Sequence, residues 1–132
     1  MRLVIDASAA LAAFTAPMGA SALQGYELFG PELLWSEFTA ELHAALNRRE
    51  ISAQEAANAR DALDGRVERT DVRDVQRRAW AIADRLGRGR TYDAEYVAVA
   101  VALDCPLLTL DARLARGVAH LIRVLSPGDL GI

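Results

Sequence analysis

Two short apolar runs in this 132-residue chain end on a carboxylate. Leu3-Val4-Ile5 runs into Asp6, and Leu107-Leu108-Thr109-Leu110 runs into Asp111. Runs this short and this apolar read as buried strands. Strands that alternate with helical stretches build an α/β domain around a mostly parallel sheet. In such sheets ligands bind beyond the carboxyl ends of the strands, where the strand order reverses. If the two runs are neighbours, Asp6 and Asp111 meet at one place. Two carboxylates at one place repel, and a cation relieves that repulsion.

The rest of the pattern fits one domain over residues 1–132, without repeats or linkers. Residues 2–6 are expected as a strand, followed by a helix to about Phe14. Pro17, Gly19 and Gly25 punctuate a short helical piece. An extended segment is expected at Glu32-Leu33-Leu34-Trp35. Ser36 is the expected N-cap of a helix to about Arg49, with Phe38, Leu42, Ala45 and Leu46 as its apolar stripe. Ser52-Ala53-Gln54-Glu55 is a capping box, and Gly65 is the expected stop of its helix. Val67 to Thr70 reads as a short strand near an edge. Val75 to Leu86 reads as a helix stopped by Gly87. Asp93 to Leu103 reads as a helix with Val97, Ala98, Val101 and Ala102 facing inward. Leu107–Leu110 is a strand, Asp111–Ala115 a helical turn, and Leu121–Leu125 a last strand.

Composition removes several classes. Hydrophobic residues make 52% and charged residues 25%, an ordinary globular balance. No apolar run is long enough to span a bilayer, so no membrane partner is expected and the expected compartment is the cytoplasm. The single Cys105 admits no internal disulfide and is expected to be a small buried hydrophobe. A net charge of -3 is not that of a protein that holds nucleic acid by overall field. All 15 cations are Arg, and there is no Lys. That excludes phosphoacceptor receiver domains and haloacid-dehalogenase-type phosphatases, which need a lysine. The latter also need an acid where Ser8 stands. Asp6-Ala7-Ser8-Ala9-Ala10 has no glycine, so no phosphate-cradling loop follows the first strand.

Two further acids belong with the strand-end pair. Glu37 is expected in the first turn of the helix after Ser36, and Asp93 in the first turn after Gly87-Arg88-Gly89-Arg90. Both follow loops at the carboxyl end of the sheet. Helix capping alone also favours acids at such positions; the functional reading rests on all four together. A cluster of carboxylates without His or Cys suits Mg²⁺ or Mn²⁺ and argues against zinc. His43 and His120 are expected to be structural or solvent-exposed. Trp35 and Trp80 read as core or partner-contact aromatics.

Val4-Ile5-Asp6-Ala7-Ser8-Ala9, the segment Pro31…Glu37…Leu42, Thr91-Tyr92-Asp93-Ala94-Glu95-Tyr96-Val97-Ala98, and Leu107-Leu108-Thr109-Leu110-Asp111-Ala112-Arg113-Leu114 stand in this order. Together they resemble the PIN-domain family, and more narrowly its VapC-type toxin ribonucleases. The resemblance runs the whole length. It implies a three-layer α/β/α sandwich with a four- to five-stranded, mostly parallel sheet. It also implies a Mg²⁺-dependent endoribonuclease, with Mn²⁺ as a substitute, that leaves 5′-phosphate and 3′-hydroxyl ends.

By that resemblance the catalytic acids are Asp6, Glu37, Asp93 and Asp111. Asp6, Asp93 and Asp111 would hold metal, and Ser8 and Thr109 would hydrogen-bond the carboxylates. Glu41, one turn beyond Glu37, is the alternative second acid. Arg88, Arg90 and Arg113 are the candidates for RNA phosphates, with Arg116 behind them. The implied partners are an RNA substrate, a cognate VapB-type antitoxin and a second copy in a homodimer. Residues 8–28 and 36–64 are expected to carry apolar surface for them. The competing reading is a PIN-like scaffold that mainly binds protein or RNA.

Overall fold

The computed structural model describes all residues, Met1–Ile132. Five strands form one sheet: β1 (Arg2–Ile5), β2 (Glu27–Gly30), β3 (Val67–Arg69), β4 (Leu107–Leu108) and β5 (Val124–Leu125). Their order is β3-β2-β1-β4-β5, and every pairing is parallel. The chain builds outward from β1 on one side, then crosses over to β4 on the other. Strand order therefore reverses between β1 and β4, the position where α/β sheets bind ligands. The register pairs Val4 with Leu107 and Ile5 with Leu108. Residues 6 and 109 consequently emerge side by side.

The helices are α1 (Ala7–Thr15), α2 (Gly19–Ala22), α3 (Leu33–Asn47), α4 (Ala53–Arg66), α5 (Val75–Leu86), α6 (Tyr92–Leu103) and α7 (Ala112–Val118). One group packs α1 with α3 and α4; the other packs α5 on α6, which lies against β1 and β4. Leu3, Val4, Ile5, Leu107 and Leu108 are fully buried between them. Small residues let α1 sit close to its neighbours: Ala9, Ala10 and Ala13 have no exposed surface. Where the chain leaves α1, a Cβ on Gly19 would fall 2.0 Å from the Ala13 carbonyl oxygen, so only glycine fits. Cys105 is buried and free, and burial pushes its thiol up.

Several expectations are corrected. The second strand is Glu27–Gly30, not Glu32–Trp35. Pro31 opens a helix instead: the Leu34 amide donates to the Pro31 carbonyl at 3.0 Å, and α3 starts at Leu33. Ser36 is thus inside α3 and caps nothing, and Glu37 sits in the second turn. Gly65 does not stop α4, which runs through Arg66 straight into β3. Val101 and Ala102 face solvent. They follow a run apolar on every side, whose periodicity cannot set an inward face. Trp80 is 67% exposed, which removes the core half of its expected reading and leaves the partner-contact half untested. The final strand is only Val124–Leu125, followed by a 3₁₀ turn at Pro127–Leu130 capped by Ser126. No helix is long and apolar enough to cross a membrane.

Candidate active site

Asp6 ends β1 and is the N-cap of α1. Its Oδ1 accepts from the Ala9 amide at 2.9 Å and from the Ser8 hydroxyl at 2.8 Å. Capping therefore engages one oxygen and leaves the other to β4. There Oδ2 accepts a hydrogen bond from the Thr109 hydroxyl. Thr109 is buried, and its Oγ1 also accepts from the Asp111 amide at 3.0 Å. One hydroxyl thus ties the two strand-end acids together. Asp111 repeats the logic of Asp6 as N-cap of α7, with Oδ1 accepting from the Leu114 amide at 3.0 Å. Its Oδ2 accepts no hydrogen bond from the protein. The Ser8 hydroxyl in turn accepts from the Leu110 amide at 3.4 Å.

The other two acids come from helices on opposite sides of the sheet. Glu37 projects from α3, and its Oε1 accepts from the Tyr96 hydroxyl of α6 at 2.5 Å. Asp93, in the first turn of α6, accepts from Arg88 Nη1 at 3.1 Å through Oδ2. Asp6, Glu37, Asp93 and Asp111 line one cleft of about 520 Å³, together with Ser8, Glu41 and Tyr96. Glu41 is exposed and makes no hydrogen bond, whereas Glu37 is half-buried and held by Tyr96. Tyr96 is the residue the sequence reading missed. It is 1% exposed and was one aromatic in an apolar helix, three residues beyond Asp93 on the same face.

The cleft is electrostatically loaded. Burial raises the Asp6 carboxyl above its usual range, against the lowering effect of Thr109, Ala9 and Ser8, and the Asp93 charge adds to the rise. Burial also raises Glu37, against the Tyr96 hydrogen bond, with the charges of Asp93, Asp6 and Glu41 adding to it. Burial and then Glu37 raise Glu95 in turn, and burial with the Glu37 hydrogen bond drives the Tyr96 hydroxyl far up. Oxygen donors that destabilise one another's charge suit a hard divalent cation, and no His or Cys lines the cleft. The donor set therefore fits the ion that the four acids imply. The side chains do not form a finished cage: no three His, Cys, Asp or Glu converge on one point. Each acid is instead held by its own donor.

Beside this cleft lies a second, of about 410 Å³, which shares Glu37 and Asp93 with it. Arg88, Arg90 and Arg113 all line it, so the structure gathers the three arginines singled out in the sequence. Arg116 lines neither cleft. His120 is exposed, and so is His43, on the far side of α3 from the acids. A third, larger hollow of about 920 Å³ runs between α3 and α4. Its wall includes Trp35, Thr39, Leu42, Leu46, Ala53 and Ala56, and it meets the acidic cleft at Ala40.

Known proteins are similar to this chain in sequence or in fold. The family model described as PIN domain matches residues 3–119. A VapC ribonuclease of Mycobacterium bovis is 39% identical over 118 residues, covering 86% of this chain and 88% of the relative. Ribonuclease VapC1 of Mycobacterium tuberculosis is 37% identical over 120 residues, covering 85% and 87%. Among solved structures, PAE2754 from Pyrobaculum aerophilum superposes with a TM-score of 0.73 at 20% identity, over 98% of this chain and 92% of that one. VapBC2 from Rickettsia felis, bound to a DNA fragment from its promoter, gives 0.69 at 12% identity, over 96% and 98%. Identities that low speak to the fold alone. The family match and the mycobacterial relatives speak to descent, and by them the chain belongs to the PIN-domain family, with VapC ribonucleases among its relatives.

Proposed function

We propose that the protein is a divalent-metal-dependent endoribonuclease, a toxin held in check by a VapB-type antitoxin. The observation that carries this reading is the meeting of Asp6, Glu37, Asp93 and Asp111 in one cleft at the sheet's switch point. Relatives named VapC ribonucleases support the substrate class. Mg²⁺ is the physiological ion in this reading and Mn²⁺ its substitute. Asp6, Asp93 and Asp111 hold it, each with an oxygen or lone pair beyond its present hydrogen bonds. When bound, a divalent ion supplies Lewis acidity to a phosphoryl oxygen and acidifies a water.

The chain's own residues do the rest. Ser8 and Thr109 fix the Asp6 carboxylate so that it need not reorganise during the reaction. Glu37, steadied by Tyr96, stands across the cleft to orient the attacking water. Arg90 and Arg113 bind flanking phosphates from the adjoining hollow. A basic neighbour is needed because the protein is acidic overall, and RNA affinity should fall steeply with salt.

The groove between α3 and α4 supports the antitoxin as partner. Apart from Trp35 its lining falls within residues 36–64, is mostly apolar, and opens onto the acids at Ala40. A homodimer and a cytoplasmic location complete the reading.

The test is cleavage of end-labelled RNA in Mg²⁺, Mn²⁺ or chelator. Metal-dependent products with 5′-phosphate ends are expected, and neither Asp6→Asn nor Asp93→Asn should give them. Cleavage that survives chelation, or survives both substitutions, overturns the metal-site reading. An intact protein that cuts no RNA in either ion selects the scaffold reading instead.

A further inference from the structure

Asp93 differs from the other three acids in its partner. Asp6, Glu37 and Asp111 are held by neutral donors, namely hydroxyls and backbone amides. Asp93 alone is held by a cation, Arg88, through a single Nη1 to Oδ2 contact. That contact is the only hydrogen bond of the guanidinium, so most of its five donors are unspent. The Arg88 side chain is 23% exposed, which places the cation inside the mouth of the cleft rather than over solvent.

The local backbone explains both the placement and its looseness. Gly87 takes a left-handed conformation, φ +65°, and closes α5 as the Arg88 amide donates back to the Ala83 carbonyl at 3.0 Å. That turn aims Arg88 at the start of α6. A Cβ at Gly87 or Gly89 would meet nothing within 4 Å, so no packing locks the flanks of Arg88. The pair stands where the acidic cleft and the arginine-lined hollow share Asp93.

From this geometry we propose that Arg88 is an exchangeable counter-ion. It holds Asp93 while the cleft lacks metal, and it transfers to an RNA phosphate when a divalent cation takes that carboxylate. The proposal rests on the metal-dependent reading above. Its physical basis is a difference in strength. A single-contact, partly exposed ion pair is weak, and a divalent cation on a carboxylate outcompetes it. The displaced guanidinium is a cation and needs another anion. A phosphate offers it the two-point contact that Asp93 does not provide here.

The experiment measures Mn²⁺ binding by calorimetry on the RNA-free protein, and KM for an RNA oligonucleotide at saturating Mn²⁺. Wild type is compared with Arg88→Gln, Arg90→Gln and Arg113→Gln. The last two remove the same charge from the same hollow without touching Asp93. Arg88→Gln should bind Mn²⁺ about threefold to fivefold more tightly than wild type, the scale of one partly exposed ion pair. Its gain should exceed that of the other two variants, and its KM should rise about tenfold. Equal gains in all three variants overturn the exchange and leave only a general field. A tighter Mn²⁺ site with unchanged KM overturns the transfer to phosphate. Failure of wild type and Arg88→Gln alike to bind Mn²⁺ at millimolar concentration overturns the metal reading itself, and the proposal with it.

Discussion

The two sides of the acidic cleft are built differently. On the strand side, Asp6 is 7% exposed and accepts three hydrogen bonds, from Ser8, Ala9 and Thr109. The donors come from the end of β4 and from α1, the helix that Asp6 itself caps. On the α6 side, Asp93 leaves 44% of its side chain exposed and has one partner, carried by a glycine-flanked loop. The first side is a fixed post and the second an adjustable arm. Both should matter equally for chemistry, yet only the post is bound into the fold. Substitutions that silence activity should therefore separate by what they do to stability.

The largest effect is on catalysis. Asp6→Asn and Asp93→Asn should each lower RNA cleavage by at least about 10³-fold, since each removes several kcal/mol of charge stabilisation. Gel assays at saturating Mg²⁺ measure this. Urea denaturation of the same proteins should leave Asp93→Asn within about 0.5 kcal/mol of wild type. If Asp93→Asn destabilises as much as substitutions around Asp6, the contrast between post and arm is wrong.

Thr109→Val tests the post directly. The substitution keeps shape but removes the donor to Asp6 and the acceptor for the Asp111 amide. A buried carboxylate left short of a donor should cost about 2 kcal/mol by urea denaturation. A loss below 0.5 kcal/mol, by the same order-of-magnitude scale, would show that water replaces the hydroxyl.

The acids of both sides were legible in the sequence, whereas the pairing that makes Asp93 an arm was not. Asp6 and Asp111 follow apolar runs and precede helices, so local pattern alone puts them at strand ends and helix starts. Asp93 is a first-turn acid by the same reasoning. Glu37 follows from the Pro31…Glu37…Leu42 segment of the family resemblance, which does not depend on where the helix starts; the start differs because Pro31 suits the first turn of a helix as well as the end of a strand. The misplaced second strand has the same origin: Glu27-Leu28-Phe29-Gly30 is too short and mixed to show a period. The Arg88 to Asp93 pair depends on the direction in which the chain leaves the left-handed turn at Gly87, and the expected helix stop there does not fix that direction. Tyr96 was hidden for a different reason. It is a core residue by burial, and its hydroxyl meets a partner 59 positions away. No local pattern carries that contact.

Tyr96→Phe keeps the buried ring and deletes that contact. Stability should fall by about 1 kcal/mol. Cleavage should fall about tenfold, as when a partner that orients a reacting carboxylate is removed. Unchanged cleavage with the expected stability loss would make Tyr96 purely structural and return Glu41 to contention as the second acid.

The smallest effect concerns Glu37 without metal. Burial, and then the charges of Asp93, Asp6 and Glu41, raise its carboxyl above the ordinary glutamate value of 4.5. An acid raised in the folded state ionises more readily when unfolded. Folding therefore loses stability as pH climbs from that ordinary value through the raised one, and the penalty is absent below it. Glu37→Gln escapes the penalty while still accepting from Tyr96. In chelator its Tm should exceed that of wild type by about 2 °C at pH 7, a figure discounted for partial exposure. The gap should close by pH 4. Saturating Mn²⁺ should reverse it, because only the carboxylate gains from the ion and ligand binding adds to stability. A wild type that is the more stable at every pH in chelator would mean that the acids on the two sides do not oppose one another. The cleft would then have no electrostatic need of a cation.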